Sequence, residues 1–277
     1  MPDKVSVIIP TRGRSKCLQR LIASLCEDVR KHAAELIVVD DAVDKELQAP
    51  SNVRLLRSGG KGPAQARNVG VRSATGSLLL FVDDDSVAPE GYLGRVLDTA
   101  RRLGPGHAFA GPQRCLPGAT PAAQASGALL DWFTAATGEC EREFLPSNGL
   151  AVFRCDYEHS GGFNTRFPGA AGEDREFSSR LRRAGVTLRL EESLALFHEF
   201  PPTVSKFFEQ QWRYGRGARQ YARIAAGCLK PRTAHSYWTL LREATRRGGF
   251  TTASLCAAAQ CFVLAGFLWE LSTHRES

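Results

Sequence analysis

The chain has 277 residues, 43% of them hydrophobic and 23% charged, with a formal net charge of +7. These proportions exclude a disordered or fibrous chain and leave ample material for a core, in one large domain or two small ones. The positive balance points to anionic partners, whether nucleotide phosphates, lipid heads or nucleic acid, without choosing among them. The eight cysteines are scattered, with no Cys-x-x-Cys pair and no accompanying His cluster. That argues against zinc and for reduced thiols in a cytosolic setting. No signal peptide is read before the first strand.

Val5 to Ile9 reads as a buried strand, broken at Pro10-Thr11-Arg12-Gly13-Arg14. Leu18, Leu21, Ile22 and Leu25 then form the stripe of a helix packed on a sheet. Leu36 to Val39 is a second strand ending in Asp40-Asp41, and Val53 to Leu56 a short third. After the glycine-rich loop 59–63, Ala64 to Ser73 reads as a helix. Ser77 to Val82 is a fourth strand, Pro89 suits the first position of a helix carrying Leu93, Val96, Leu97 and Ala100, and His107 to Gly111 is another strand. In the second half, Pro121 to Thr137 is helical and Leu150 to Phe153 strand-like, with a turn at Gly161-Gly162-Phe163. Glu173-Asp174 opens a helix after the small-residue loop 168–172, and Gly185 stops it. Val186 to Leu190 and Leu194 to Phe197 are short strands, and Val204 to Ala226 a long helix.

Strand and helix in alternation predict a doubly wound, mostly parallel α/β sheet with flanking helices. Ligands of such sheets bind beyond the carboxyl ends of the strands. Thr11 and Arg12, Asp40 and Asp41, and Asp83-Asp84-Asp85 each follow a different strand at that end. Three adjacent carboxylates at one strand end repel one another and cost stability unless a cation neutralises them. Hard oxygen ligands suit Mg²⁺ or Mn²⁺, which commonly bridge protein carboxylates to substrate phosphates. The bland alternative is a solvated acidic turn ahead of the helix near Pro89.

The ordered segments VSVIIPTRGR, LIVVDDA, GPAQARNVG, LLLFVDDDS, SNGLAVFR, GGF and GEDREFSSRLRRAG, over about residues 4 to 220, resemble the family 2 glycosyltransferases. The resemblance implies a GT-A fold and metal-aided, inverting transfer of a sugar from a nucleoside-diphosphate donor to a hydroxyl acceptor, a glycan or lipid-linked. By the same resemblance Pro10, Thr11 and Arg14 line the base and ribose pocket, Asp40 accepts a hydrogen bond from the base, and Arg67 and Asn68 border the donor. Asp85 is a direct metal ligand, Asp83 holds the ribose or a metal-bound water, and Asp84 shares in donor binding. Asp174 is the catalytic base with Glu173 beside it, and His198 stands where some relatives supply a further metal ligand. Capping of a helix start is the alternative use of Glu173 and Asp174, and an ordinary turn that of Asp40. Asn148 and Trp132 either shape the acceptor site or are a turn residue and a core aromatic.

Arg213, Arg216, Arg219 and Arg223 make a basic face on the long helix, and 248–269 contains no charged residue. A helix lying on a membrane surface is preferred there to one packed on the protein or spanning the bilayer. The expected organisation is a GT-A catalytic domain at 1–226, its donor half about 1–112 and acceptor half about 113–226, followed by a helical appendage at 227–277. The expected location is cytoplasmic, at the inner face of the cell membrane, with a lipid-linked or cell-envelope glycan as acceptor and no nucleic-acid partner. The rival readings are a sugar-phosphate nucleotidylyltransferase and a non-catalytic nucleotide-sugar-binding protein at a membrane. The single glycine of Pro10-Thr11-Arg12-Gly13-Arg14 counts against the first.

Overall fold

The computed structural model describes residues 4–43, 47, 53–134, 144–167, 169, 171–224 and 233–273. Residues 168 and 170 of the small-residue loop, and the expected ends of the helices at 135–137 and 225–226, lie outside these. In chain order the elements are β1 (Val5–Thr11), α1 (Ser15–Lys31), β2 (Glu35–Asp40), β3 (Arg54–Arg57), α2 (Pro63–Ser73), β4 (Leu78–Phe81), β5 (Ser86–Val87), α3 (Tyr92–Leu103), β6 (His107–Ala110), β7 (Gln113–Cys115), α4 (Pro121–Thr134), β8 (Leu150–Phe153), α5 (Arg154–His159), α6 (Glu173–Arg183), β9 (Thr187–Leu190), a 3₁₀ turn (Glu192–Leu194), β10 (Leu196–His198), α7 (Val204–Ile224) and α8 (Ala234–Thr273).

These elements form two compact units, Met1–Pro112 with Ala136–Phe197, and Gln113–Ala135 with His198–Ser277. The first holds a seven-stranded sheet in the order β3-β2-β1-β4-β8-β6-β9. β1, β2, β3 and β4 run parallel, and β8 is antiparallel to both β4 and β6. Side chains alternate across it as the pleat requires. Val7, Ile9, Leu78 and Leu80 face the stripes of α1 and α3, while Ile8, Leu79 and Phe81 meet residues of α2, α5 and α6. Helices on both faces are why these strands read as unbroken apolar runs. α2 approaches the sheet closely, because a Cβ on Gly70 would collide with the Ile8 side chain. The connections run outward from β1 to β2 and β3 and then return to β4 on its other side. The switch point therefore falls between β1 and β4.

Two local readings change. The helix after Pro89 begins at Tyr92, because Gly91 takes a left-handed conformation and the Pro89 carbonyl closes a turn on the Tyr92 amide. The strand expected from Leu194 starts at Leu196, after the 3₁₀ turn.

The second unit is mostly helical and takes in residues from both sides of position 226. Ala125, Leu129 and Trp132 of α4, Phe207 of α7, and Leu240, Ala244, Cys256 and Ala259 of α8 share one apolar cluster. The helices at 121–134 and 204–224 thus pack with the C-terminal helix, since their apolar faces are mutually buried. Trp132 donates its indole N–H to the Ser236 carbonyl at 2.9 Å, the behaviour of a core aromatic. Among the described residues six cysteines are free thiols.

Candidate active site

At the carboxyl end of β4 the chain turns sharply, the Ser86 amide donating to the Asp83 carbonyl at 3.1 Å. Asn148 holds this turn from behind, its Oδ1 accepting the Asp83 amide and the Ser86 hydroxyl, each at 3.0 Å. The three carboxylates consequently separate. Asp84 points inward, fully buried, and accepts the Thr11 hydroxyl at 2.6 Å and Arg14 Nε at 3.1 Å. Asp83 and Asp85 face outward, with side chains 28% and 15% exposed. Arg14, half-exposed, also donates to Asp85 Oδ2 at 2.6 Å. Burial raises the Asp84 carboxyl to about 7 against the pull of Arg14.

α2 and α6 meet at this rim through one side chain. Arg67, buried on α2, donates to Asp83 Oδ1 at 2.8 Å and to Glu173 Oε1 at 3.1 Å, 106 residues away. Its guanidinium also lies 5.3 Å from the centroid of the Phe163 ring. Glu173 is buried, and burial together with the adjacent Asp174 charge raises its carboxyl to about 7. Asp174 is partly exposed at the first turn of α6, and its Oδ1 accepts the Arg175 amide at 2.7 Å. Burial raises its pKa, with Asp83 adding to the rise and Arg67 opposing it. The arrangement separates the two acids, one locked on an arginine and the other presented at the rim.

Asn68, expected to border the donor, is engaged by protein at both ends of its amide. Its Nδ2 donates to the Phe163 carbonyl at 2.8 Å, and its Oδ1 accepts the Tyr157 hydroxyl at 2.5 Å and the Phe163 amide at 3.0 Å. It ties the Gly161-Gly162-Phe163 turn to α2. Tyr157→Phe removes one of these bonds and is expected to lower stability by about 1 kcal/mol, measured by denaturant unfolding.

At the end of β2 the two aspartates also divide. Asp41 accepts the Ser58 hydroxyl and the Lys61 and Gly62 amides at 2.6–2.9 Å, shaping the loop before α2. Asp40 Oδ1 accepts the Ala42 amide at 3.0 Å, whereas its buried Oδ2 has no hydrogen-bond partner among the described residues. An unsatisfied buried carboxylate oxygen is costly, so this one is open to a donor from outside the protein, water included. Pro10, on β1 beside Val39, is buried in the same strand ends.

Four acidic side chains, Asp83, Asp84, Asp85 and Glu173, are thus paired with two arginines, an excess of negative charge that suits a divalent cation. No group of three or more His, Cys, Asp or Glu side chains is gathered to hold an ion unaided among the described residues. His198, expected as a further ligand, lies in the second unit, where its ring stands edge-on to Phe200 with centroids 4.6 Å apart. Sequence patterns singled out the strand-end acids, and Asn148 as an acceptor-site or turn residue, but not the bonds by which Asn148 braces the Asp83 turn, and they missed Tyr157 as a support of α2. Both roles rest on contacts more than 60 residues distant, which no local pattern encodes.

The family model of glycosyl transferase family 2 matches residues 6–161, more than half of the chain. The chain belongs to that family. This family 2 protein is 27% identical over 237 residues to the pre-mycofactocin glycosyltransferase of Mycobacterium tuberculosis, covering 79% of the chain and 47% of that relative. It is 25% identical over 242 residues to the chondroitin synthase of Escherichia coli, covering 72% and 35%. The chain spans about half the length, or less, of these curated relatives. Its fold resembles the mannosyltransferase PcManGT of Pyrobaculum calidifontis, solved with GDP-Man and Mn²⁺, at TM-score 0.66 and 18% identity over 99% of this chain and 88% of that one. It also resembles residues 1–349 of Staphylococcus aureus TarS, solved with UDP, at TM-score 0.56 and 16% identity over 99% and 92%. The family 2 chain has the GT-A fold of these neighbours.

Proposed function

We propose that this protein transfers a sugar from a nucleoside-diphosphate sugar to a hydroxyl acceptor, with inversion at the anomeric carbon and Asp174 as the base. The observation that carries the reading is the Arg67 clamp, which joins Asp83 to Glu173 and leaves Asp174 presented beside them. Asp174 takes the proton from the acceptor oxygen as that oxygen attacks, and a single carboxylate in this role suffices for an inverting route. Arg67 holds the start of α6 so that the base keeps its place. Thr11 and Asn148 fix the acidic turn. Asp83 and Asp85 would hold a Mg²⁺ or Mn²⁺ ion, which when bound neutralises charge growing on the leaving diphosphate. PcManGT with GDP-Man and Mn²⁺, and TarS with UDP, support a nucleotide donor. The family assignment sets the nucleotidylyltransferase reading aside.

Asp40 reads the nucleobase in this account, its unpartnered Oδ2 accepting a ring N–H. Asp40→Ala is expected to raise the donor KM at least tenfold with kcat changed less than threefold, since a hydrogen bond to a charged group contributes about 1.5–3 kcal/mol. Steady-state kinetics with the donor varied measure this.

The acceptor we infer is a lipid-linked or cell-envelope glycan met at the cytoplasmic face of the membrane, a setting supported by the outward side of α8. A panel of nucleotide sugars screened by thermal shift with and without Mn²⁺ tests the proposal. One donor should raise the melting temperature in a Mn²⁺-dependent way, and proton NMR of the product should show the inverted anomer. A panel without any stabilising nucleotide sugar, or a retained anomer, would overturn it.

A further inference from the structure

We propose that the outward face of α8, in the second unit, seats this protein on an anionic lipid surface without crossing it. The helix breaks at Gly248-Gly249, where the backbone leaves helical geometry and Gly249 takes φ +71. Beyond the break Phe250, Ala257, Cys261, Leu264 and Leu268 recur at steps of three, four or seven residues, so they share one side of the helix. That side is open: Phe250 is 84% exposed, Leu264 58% and Leu268 51%, with Trp269 55% exposed beside them. From Phe250 to Trp269 the strip is about 28 Å long at 1.5 Å per residue. No charged residue interrupts it.

The opposite side of α8 is committed to protein. Ala253, Leu255, Cys256 and Ala259 lie in the cluster shared with α4 and α7. A Cβ on Gly266 would strike the Trp212 carbonyl, and one on Gly215 the Val263 carbonyl, so α7 and α8 touch backbone to backbone. Buried Glu270 accepts Arg216 Nε and Gln220 Nε2, each at 2.8 Å. These contacts set α7 against the middle of the charge-free stretch, so a spanning orientation would take Arg213 and Arg219 of α7 into hydrocarbon. Lying in the interface leaves these arginines out of hydrocarbon and immerses only the open strip.

Charge selects the lipid. Lys206, Arg213, Arg223, Arg242 and Arg246 are exposed on α7 and α8, against the acids Glu209 and Glu243, the latter paired with Arg246 and Arg247. The Arg219 guanidinium lies 6.0 Å from the Phe267 ring and Arg216 lies 4.9 Å from that of Trp212, whose partner across the helix pair is Trp269. Tryptophan with arginine beside an apolar strip is the composition of a helix at the headgroup level, and anionic headgroups complement the basic surplus.

The inference gives the membrane setting proposed above a surface, and its test uses neither donor nor acceptor, so it fails separately from sugar transfer. The full chain is sedimented with phosphatidylcholine vesicles with and without phosphatidylglycerol. Binding should be at least tenfold greater on the anionic vesicles, and fall at least tenfold in 0.5 M salt. Leu264→Glu with Leu268→Glu should abolish it, and these exposed positions leave the melting temperature within a few degrees. No uptake by anionic vesicles, or equal uptake by the double variant, would overturn the proposal. So would light scattering that shows a dimer dissolved by Leu264→Glu and Leu268→Glu with no vesicle binding, since a second copy would then cover the strip.

Discussion

Asp174→Asn is expected to lower kcat by about 10²–10⁴-fold, the usual contribution of a positioned base, while donor affinity stays within about threefold. Asparagine keeps the size of the side chain and the start of α6, and it cannot accept the acceptor's proton. Glu173 cannot replace it, because that carboxylate is buried against Arg67 and holds its own proton up to about 7. The pH profile supplies an independent readout. Burial and Asp83 raise the Asp174 pKa, and a base works only when deprotonated. Activity should therefore rise with pH along an acid limb lying above the ordinary aspartate range, and the residual activity of Asp174→Asn should lack that limb. A variant turning over within threefold of the native protein would remove Asp174 as the base.

Arg67→Ala should be the most damaging single change to the fold of the site. Removing one partner of a buried ion pair strands the other, at a typical cost of about 3–5 kcal/mol, and here Glu173 and Asp83 are both left. The effect should depend on pH in a definite sense. The folded Glu173 carboxyl sits at about 7, above its unfolded value, so the folded state binds more protons between those two pKa values. Stability contributed by that proton is present at low pH and is lost as pH rises toward 7. Without Arg67 the carboxyl rises further, so the loss steepens and extends upward. Denaturant midpoints at pH 6 and pH 8 should differ more in Arg67→Ala than in the native protein. Equal pH dependence in the two would show that Arg67 does not hold Glu173 in solution. Activity should be lost at both pH values, because the base is no longer held.

Periodicity made the parallel strands legible, because helices on both faces turn each strand into a continuous apolar run whose end is marked by charge. That is why the acids after β2 and β4, and the polar residues after β1, could be assigned to one rim from spacing. It could not divide one acid from its neighbour. Asp83, Asp84 and Asp85 are identical letters, and only the turn braced by Asn148 sends Asp84 inward to Thr11. Asp40 and Asp41 are parted likewise, one by the loop amides it gathers and the other by an oxygen left without a partner.

The sequence by itself determined the element order, the α/β class and the acids at the strand ends, since each follows from local apolar patterning and chain breaks. Only the tertiary structure decided that Arg67 joins Asp83 to Glu173, that Asn68 ties α2 to the Phe163 turn, and that α4 and α7 pack with α8. These depend on contacts between residues tens to more than a hundred positions apart, set by how buried faces match in space. No local period in the chain encodes such a match.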